Sequence, residues 1–231
     1  MKLILVGCEY SGTTTLALGI DGWLEKLSGA GFRLIHDHWK LPHTSGHLPV
    51  DLANFLTPEE QAQVLALSPK LKEMHQRHSL YYHTPHGPTD GNKLMIGYTI
   101  DDSVYGQLYF EYGRPNDPQD RRLVAPQVEK TMLTHDPDTI MVLLKADPDV
   151  IRKRMKADPH DAGVLREEDI EQAVDRFAQE FKYSLVRSKL TLDTTSSTPG
   201  DTLTEFAEKI RPYLTEADRS RILAHRALGD G

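Results

Sequence analysis

The chain has 231 residues, 34 of them acidic and 27 basic, for a formal net charge of -7. That length suits one α/β unit with insertions and can bury a sizeable core, while the acidic balance argues against nonspecific nucleic-acid binding and for small-molecule partners. A lone cysteine, Cys8, excludes an internal disulfide and suits a reducing compartment. Met1 runs straight into apolar sequence and no apolar run approaches about 18 residues, so a soluble, cytoplasmic protein with no membrane partner is expected.

Residues 3–6 form an apolar run that reads as a buried strand, and Gly7 and Gly12 bracket the loop after it. A helix is predicted over 13–27, with Leu16, Leu18, Ile20, Leu24 and Leu27 on its apolar side and Gly29 and Gly31 ending it. Strand, glycine turn and helix together make a phosphate cradle: the loop of Gly7, Glu9, Tyr10, Ser11, Gly12, Thr13, Thr14 and Thr15 can converge backbone N–H groups on an anion. The unpaired first-turn N–H groups and the helix dipole favour the same ligand. A second strand is expected over 32–36, ending in Asp37 and His38 before Trp39 and a turn at Pro42.

Residues 43–92 are the least regular. Within them Thr57, Pro58 and Glu60 spell a cap, a proline at the first helical position and a capping-box glutamate, predicting one helix from 58 to about 80. A strand over 93–100 follows, with Asp101 and Asp102 at its end or capping a helix over 103–112. Arg121 and Arg122 read as part of a proline- and aspartate-rich loop, either contacting an acceptor phosphate or solvated. Residues 139–144 read as a buried parallel strand. Asp147 and Pro148 then start a helix carrying Arg152, Lys153 and Arg154, and a polar loop leads to an acid-started helix over 166–188. A last strand over 189–193, a helix capped by Thr198 and Pro199, and a final helix opening at 215–218 complete the chain.

Strands alternating with helices of ten or more residues imply parallel strands joined by right-handed crossovers. The expected fold is a three-layer α/β domain spanning 1–231, with a mainly parallel sheet of about five strands and helices on both faces. Ligands sit at the carboxyl ends of such strands, and here those ends carry residues 7–14, Asp37 with His38, Asp101 with Asp102, and residues 145–147.

Gly7 and Gly12 have the spacing of the P-loop, G-x-x-x-x-G-K-[ST], with Thr14 at the magnesium-binding hydroxyl and Thr13 where the motif has lysine. The segment resembles the SGTTT loop of archaeal-type cytidylate kinases and, more weakly, the RSGTT-x-L loop of sulfotransferases. Residues 139–212 resemble the strand, basic helix, lid, acidic helix and closing strand and helix of nucleoside and nucleoside-monophosphate kinases. This resemblance implies ATP and Mg2+ as cofactors, a lid over 152–166 and an acceptor-binding insertion over 40–92. It also implies that Arg152 and Arg154 grip the donor phosphates, with Lys153 or Lys156 standing in for the absent lysine. Kinases of this group carry an Asp-Arg or Glu-Arg pair after the third strand, where this chain has Asp101 and Asp102.

Phosphoryl transfer needs cations, magnesium and a carboxylate that orients the acceptor hydroxyl. Asp37, Asp101 and Asp102 are the candidate carboxylates, Thr14 and Asp101 the candidate metal ligands, and His38 the histidine chosen to contact substrate among His36, His43, His47, His75, His78, His83 and His86. Tyr81, Tyr82, Tyr98, Tyr105 and Tyr109 are candidates either for stacking on a base or for the core. The expected partner is a small acceptor such as a nucleotide or nucleoside, with homodimerisation left open. A sulfotransferase with a 3'-phosphoadenosine sulfonate donor, and a noncatalytic nucleotide-binding protein, are the alternatives.

Overall fold

The computed structural model describes residues 1–32, 35–37, 40–42, 47–48, 56–87, 91–117, 119–160 and 163–229, with the backbone alone at 47–48. His38 and His43 lie outside the described residues.

The strands are β1 (Lys2–Val6), β2 (Ile35–His36), β3 (His47–Leu48), β4 (Lys93–Ile96), β5 (Ile140–Lys145) and β6 (Ser188–Asp193). They form one sheet in the order β3-β2-β4-β1-β5-β6. Five strands run parallel; β3 adds an antiparallel edge by pairing His47 with His36. β1 therefore lies between strands reached in opposite directions along the sheet, and the cleft at its carboxyl end is the place where such folds bind ligands.

The helices are α1 (Thr13–Ser28), α2 (Pro58–Ala66), α3 (Pro69–His83), α4 (Thr99–Tyr109), α5 (Arg121–His135), α6 (Pro148–Ala157), α7 (Ile170–Tyr183), α8 (Pro199–Lys209) and α9 (Glu216–Gly229). Side chains alternate across a strand, so the central strands feed two cores. Leu3 and Leu5 of β1, with Ile140, Val142 and Leu144 of β5, pack with Leu16, Ile20 and Leu24 of α1 and Phe206 of α8. Ile4 and Val6, with Met141 and Leu143, pack on the opposite face with Val104 and Tyr105 of α4, Ile151 of α6 and Phe177 of α7. No helix among the described residues is long and apolar enough to cross a membrane.

Four elements differ from the sequence expectation. The helix expected over 58–80 is two helices: the Thr57 and Glu60 capping box starts α2 as expected, but Ser68 is extended at ψ 153° before Pro69, which has no N–H and disfavours helical backbone in the residue before it. β4 stops at Ile96 because Gly97, at φ +86°, turns the chain into α4, so Asp101 and Asp102 lie in the first turn of a helix. Arg121 and Arg122 open α5, which Asp120 caps by accepting from Arg122 N–H at 2.9 Å. The helix expected over 166–188 starts as one turn of 3-10 helix and ends at Tyr183, leaving 184–187 to reach β6.

Candidate functional site

The loop after β1 is shaped by two glycines with different tasks. A Cβ on Gly7 would lie 2.5 Å from Ser11 Oγ and 2.7 Å from the Leu144 carbonyl, so only glycine lets the turn close against β5. Gly12 meets no such crowding; its φ of +97° is the requirement, a left-handed conformation that glycine adopts at no steric cost. Ser11 N–H closes the turn on the Cys8 carbonyl at 3.1 Å, and α1 begins with Leu16 N–H donating to the Gly12 carbonyl at 2.9 Å. No side chain caps α1. The N–H groups of Thr13, Thr14 and Thr15 therefore face the cleft with the positive end of the helix dipole behind them. Ser11 Oγ is buried beside them without a hydrogen-bond partner.

This loop walls a cleft of about 410 Å3 that Lys40, Arg154, His160, Thr194 and Thr202 also line. Arg154 enters from α6 and is tied to the loop: Nη1 donates to the Tyr10 carbonyl at 2.9 Å and to Thr194 Oγ1 at 3.2 Å, and Nη2 to the Thr194 carbonyl at 2.6 Å. Arg152, expected beside it, lies elsewhere. Arg152 does not line the cleft and holds Asp149 and Glu171 at 2.7 Å and Glu167 at 3.4 Å. Because these carboxylates stand on α6 itself, on α7 and in the turn before α7, Arg152 ties those segments together. Lys156 bonds Glu167 at 2.6 Å and Lys153 is exposed, so neither substitute lysine lines the cleft.

Lys40 does, although no motif in the sequence marks it. Its Nζ lies 3.4 Å from Glu9 Oε1 and 6.0 Å from the centre of the Tyr105 ring. Burial disfavours its charge, but the carboxylates of Glu9, Asp37 and Asp101 outweigh that and hold its pKa above the ordinary lysine value. The same neighbourhood acts oppositely on Asp101, which is 3% exposed and leaves Oδ1 without a hydrogen-bond partner. Burial pushes Asp101 up to about 8, opposed by Lys40 and reinforced by Asp37, Glu9 and Asp102. Cys8, buried in the same turn, is pushed up to about 12 by burial and by Glu9 and Asp101, so its thiol is structural.

Asp37 thus shares a charged cluster with Lys40 and Asp101 at the carboxyl end of β2, and it is the more accessible of the two carboxylates. Asp102, one residue from Asp101, points into a different environment. Its Oδ2 accepts from Arg121 Nε at 2.6 Å and its Oδ1 from Tyr112 O–H at 2.8 Å, all three groups being buried.

The segment after α6 is fastened over the loop by two adjacent loop residues. Glu9 Oε2 accepts from the N–H groups of Val164 at 3.0 Å and Leu165 at 2.7 Å. Tyr10 O–H accepts from His160 N–H at 3.1 Å, and the two rings stack at 4.2 Å. Tyr105, a candidate for stacking on a base, is buried instead and its hydroxyl accepts the Glu9 N–H at 3.0 Å. Tyr98 is also buried, while Tyr81 and Tyr82 are exposed. His36 packs edge-on against His83 at 4.8 Å, and no group of three His, Cys, Asp or Glu among the described residues is arranged to hold a metal.

No protein-family model matches the chain, and no curated protein sequence matches it. Solved structures do. The YorR protein of Bacillus subtilis, in complex with phosphorylated GDP, superposes with a TM-score of 0.55 at 12% identity over 93% of this chain and 100% of its own. Deoxyadenosine kinase from M. mycoides with bound dATP does so with a TM-score of 0.54 at 13% identity over 91% of this chain and 100% of its own. At such identities the likeness establishes the fold alone: the α/β architecture, with its mainly parallel sheet between helices, is shared with these two nucleotide-bound structures.

Proposed function

We propose that the chain is a phosphotransferase that moves the terminal phosphate of ATP to a small acceptor, a nucleotide, nucleoside or related metabolite. The observation that carries this reading is the uncapped start of α1 behind a glycine loop, facing a cleft of about 410 Å3 that two cationic side chains also line. Unpaired backbone N–H groups and fixed cations are what a polyphosphate requires. The bound nucleotides of the two structural neighbours are in keeping with it.

The donor phosphates would rest on the N–H groups of residues 7–15, with Arg154 beside them. The acceptor oxygen attacks the terminal phosphorus, the bond from that phosphorus to the bridging oxygen breaks, and ADP leaves. Asp37 orients the acceptor hydroxyl and takes its proton, because it is the accessible carboxylate at the end of β2. Asp101 keeps its own proton at neutral pH and supports Lys40 and Asp37 from behind. Magnesium fits the residues present. The Thr14 hydroxyl is exposed to the cleft, and this ion takes few protein ligands and completes its shell with water and phosphate oxygens. When bound it would neutralise charge on the transferred group. The lid over 152–166 excludes water, with His160 held by Tyr10 and Val164 and Leu165 by Glu9, and 40–92 supplies the acceptor side. Turnover of ATP to ADP in an acceptor screen, lost in Arg154→Ala by about 100-fold or more, tests the assignment; normal turnover in that variant would remove Arg154 from the site.

A further inference from the structure

Threonine stands at position 13, where the loop spacing has a lysine that reaches the terminal phosphates. A polyphosphate bound at this loop would bring most of its charge to the outer end of the cleft, and Arg154 is already engaged by two backbone carbonyls. Lys40 is the remaining cation among the described residues that line the cleft. We propose that Lys40 is the cation that meets the terminal phosphates of the donor, supplying from the segment after β2 the charge that the loop itself lacks. The inference rests on the phosphotransferase reading.

Three observations support it. Lys40 Nζ lies 3.4 Å from a carboxylate oxygen of Glu9, a residue of the loop itself, so the ammonium is already at the phosphate cradle. Its side chain is 23% exposed, open enough to reach a ligand and too buried to be freely solvated. An ammonium on a flexible stem binds phosphate as a point charge from variable directions, so it does not need to start at position 13. Glu9 then has two tasks, for its Oε1 holds Lys40 in waiting while its Oε2 holds the lid backbone at Val164 and Leu165.

Calorimetric titration of ATP and AMP into the native protein, Lys40→Met and the double variant Lys40→Met with Thr13→Lys tests this. A lost charge-assisted contact predicts ATP binding weakened on the order of 10- to 100-fold in Lys40→Met, with AMP, which lacks the terminal phosphates, changed less than about threefold. Thr13→Lys should then restore most of the ATP affinity. Should Lys40→Met fold poorly, Lys40→Gln, which keeps a donor for Glu9, carries the same comparison. Unchanged ATP binding in the variant, or equal loss of ATP and AMP, overturns the proposal while leaving the phosphotransferase reading standing. A native protein that binds neither nucleotide removes that reading and this one together.

Discussion

Arg121 lies 1% exposed between Asp102, 2.6 Å from its Nε, and Glu73, 3.0 Å from its Nη1, with Tyr112 over the guanidinium at 4.9 Å. Glu73 also has Arg77 Nε at 3.1 Å, but among the described residues Asp102 is paired with Arg121 alone, so removing Arg121 strands a buried carboxylate. Arg121→Met should therefore lose about 3–5 kcal/mol in denaturant unfolding; a loss within about 1 kcal/mol would show that the pair is not carrying charge in the folded state. Asp101, the neighbour of Asp102, has the opposite problem, a carboxyl buried beside other carboxylates. Its proton is held up to about 8 in the folded protein against 3.8 as the ordinary value. The native state therefore binds more protons than the unfolded one between these limits, and stability falls as pH rises through that window. Asp101→Asn should flatten the decline in melting temperature between about pH 5 and pH 8; a parallel decline in variant and native protein would contradict the assignment.

Among the elements, α1 and the glycine loop after β1 were legible because their signals are local. The spacing of Gly7 and Gly12 follows from a close backbone approach and a positive φ, and neither depends on distant residues. Gly12→Val should abolish donor binding, since a β-branched residue resists φ +97° by more than about 1–2 kcal/mol and the first-turn N–H groups would shift. Unaltered binding in that variant would move the donor site elsewhere. The alternation of β1, β5 and β6 with α6, α7 and α8 was legible for the same reason, through apolar runs and proline-marked starts. What the sequence hid were features that depend on partners far along the chain. Arg121 looks like a loop residue until Asp102 and Glu73 are folded around it, and α5 carries Pro126 inside it, which argues against a helix by local rules. Lys40 lies in proline-broken sequence and joins the cleft only when the fold brings it against Glu9. Of the candidate site residues, the chain packs the loop, Arg154, Asp37 and Asp101 into one neighbourhood and sends Arg152 and Asp102 to structural ion pairs.

At the scale of the whole molecule, one sheet with a core on each face holds β1 rigidly between β4 and β5, and the loop at its end inherits that rigidity. Lys40, from the segment after β2, and Arg154 of α6 come from the two halves of the chain to line the same cleft. Charge placement follows the same plan: a chain of net charge -7 turns cationic side chains and bare N–H groups toward one cleft, where an anionic ligand is favoured. The central claim is that this cleft binds a nucleoside triphosphate for phosphoryl transfer, and calorimetry of the native protein with ATP, with and without magnesium, against 3'-phosphoadenosine 5'-phosphate tests it most directly. The account predicts ATP binding strengthened by magnesium; magnesium-independent binding of the bisphosphate alone would contradict it and make the loop a sulfonate-donor site.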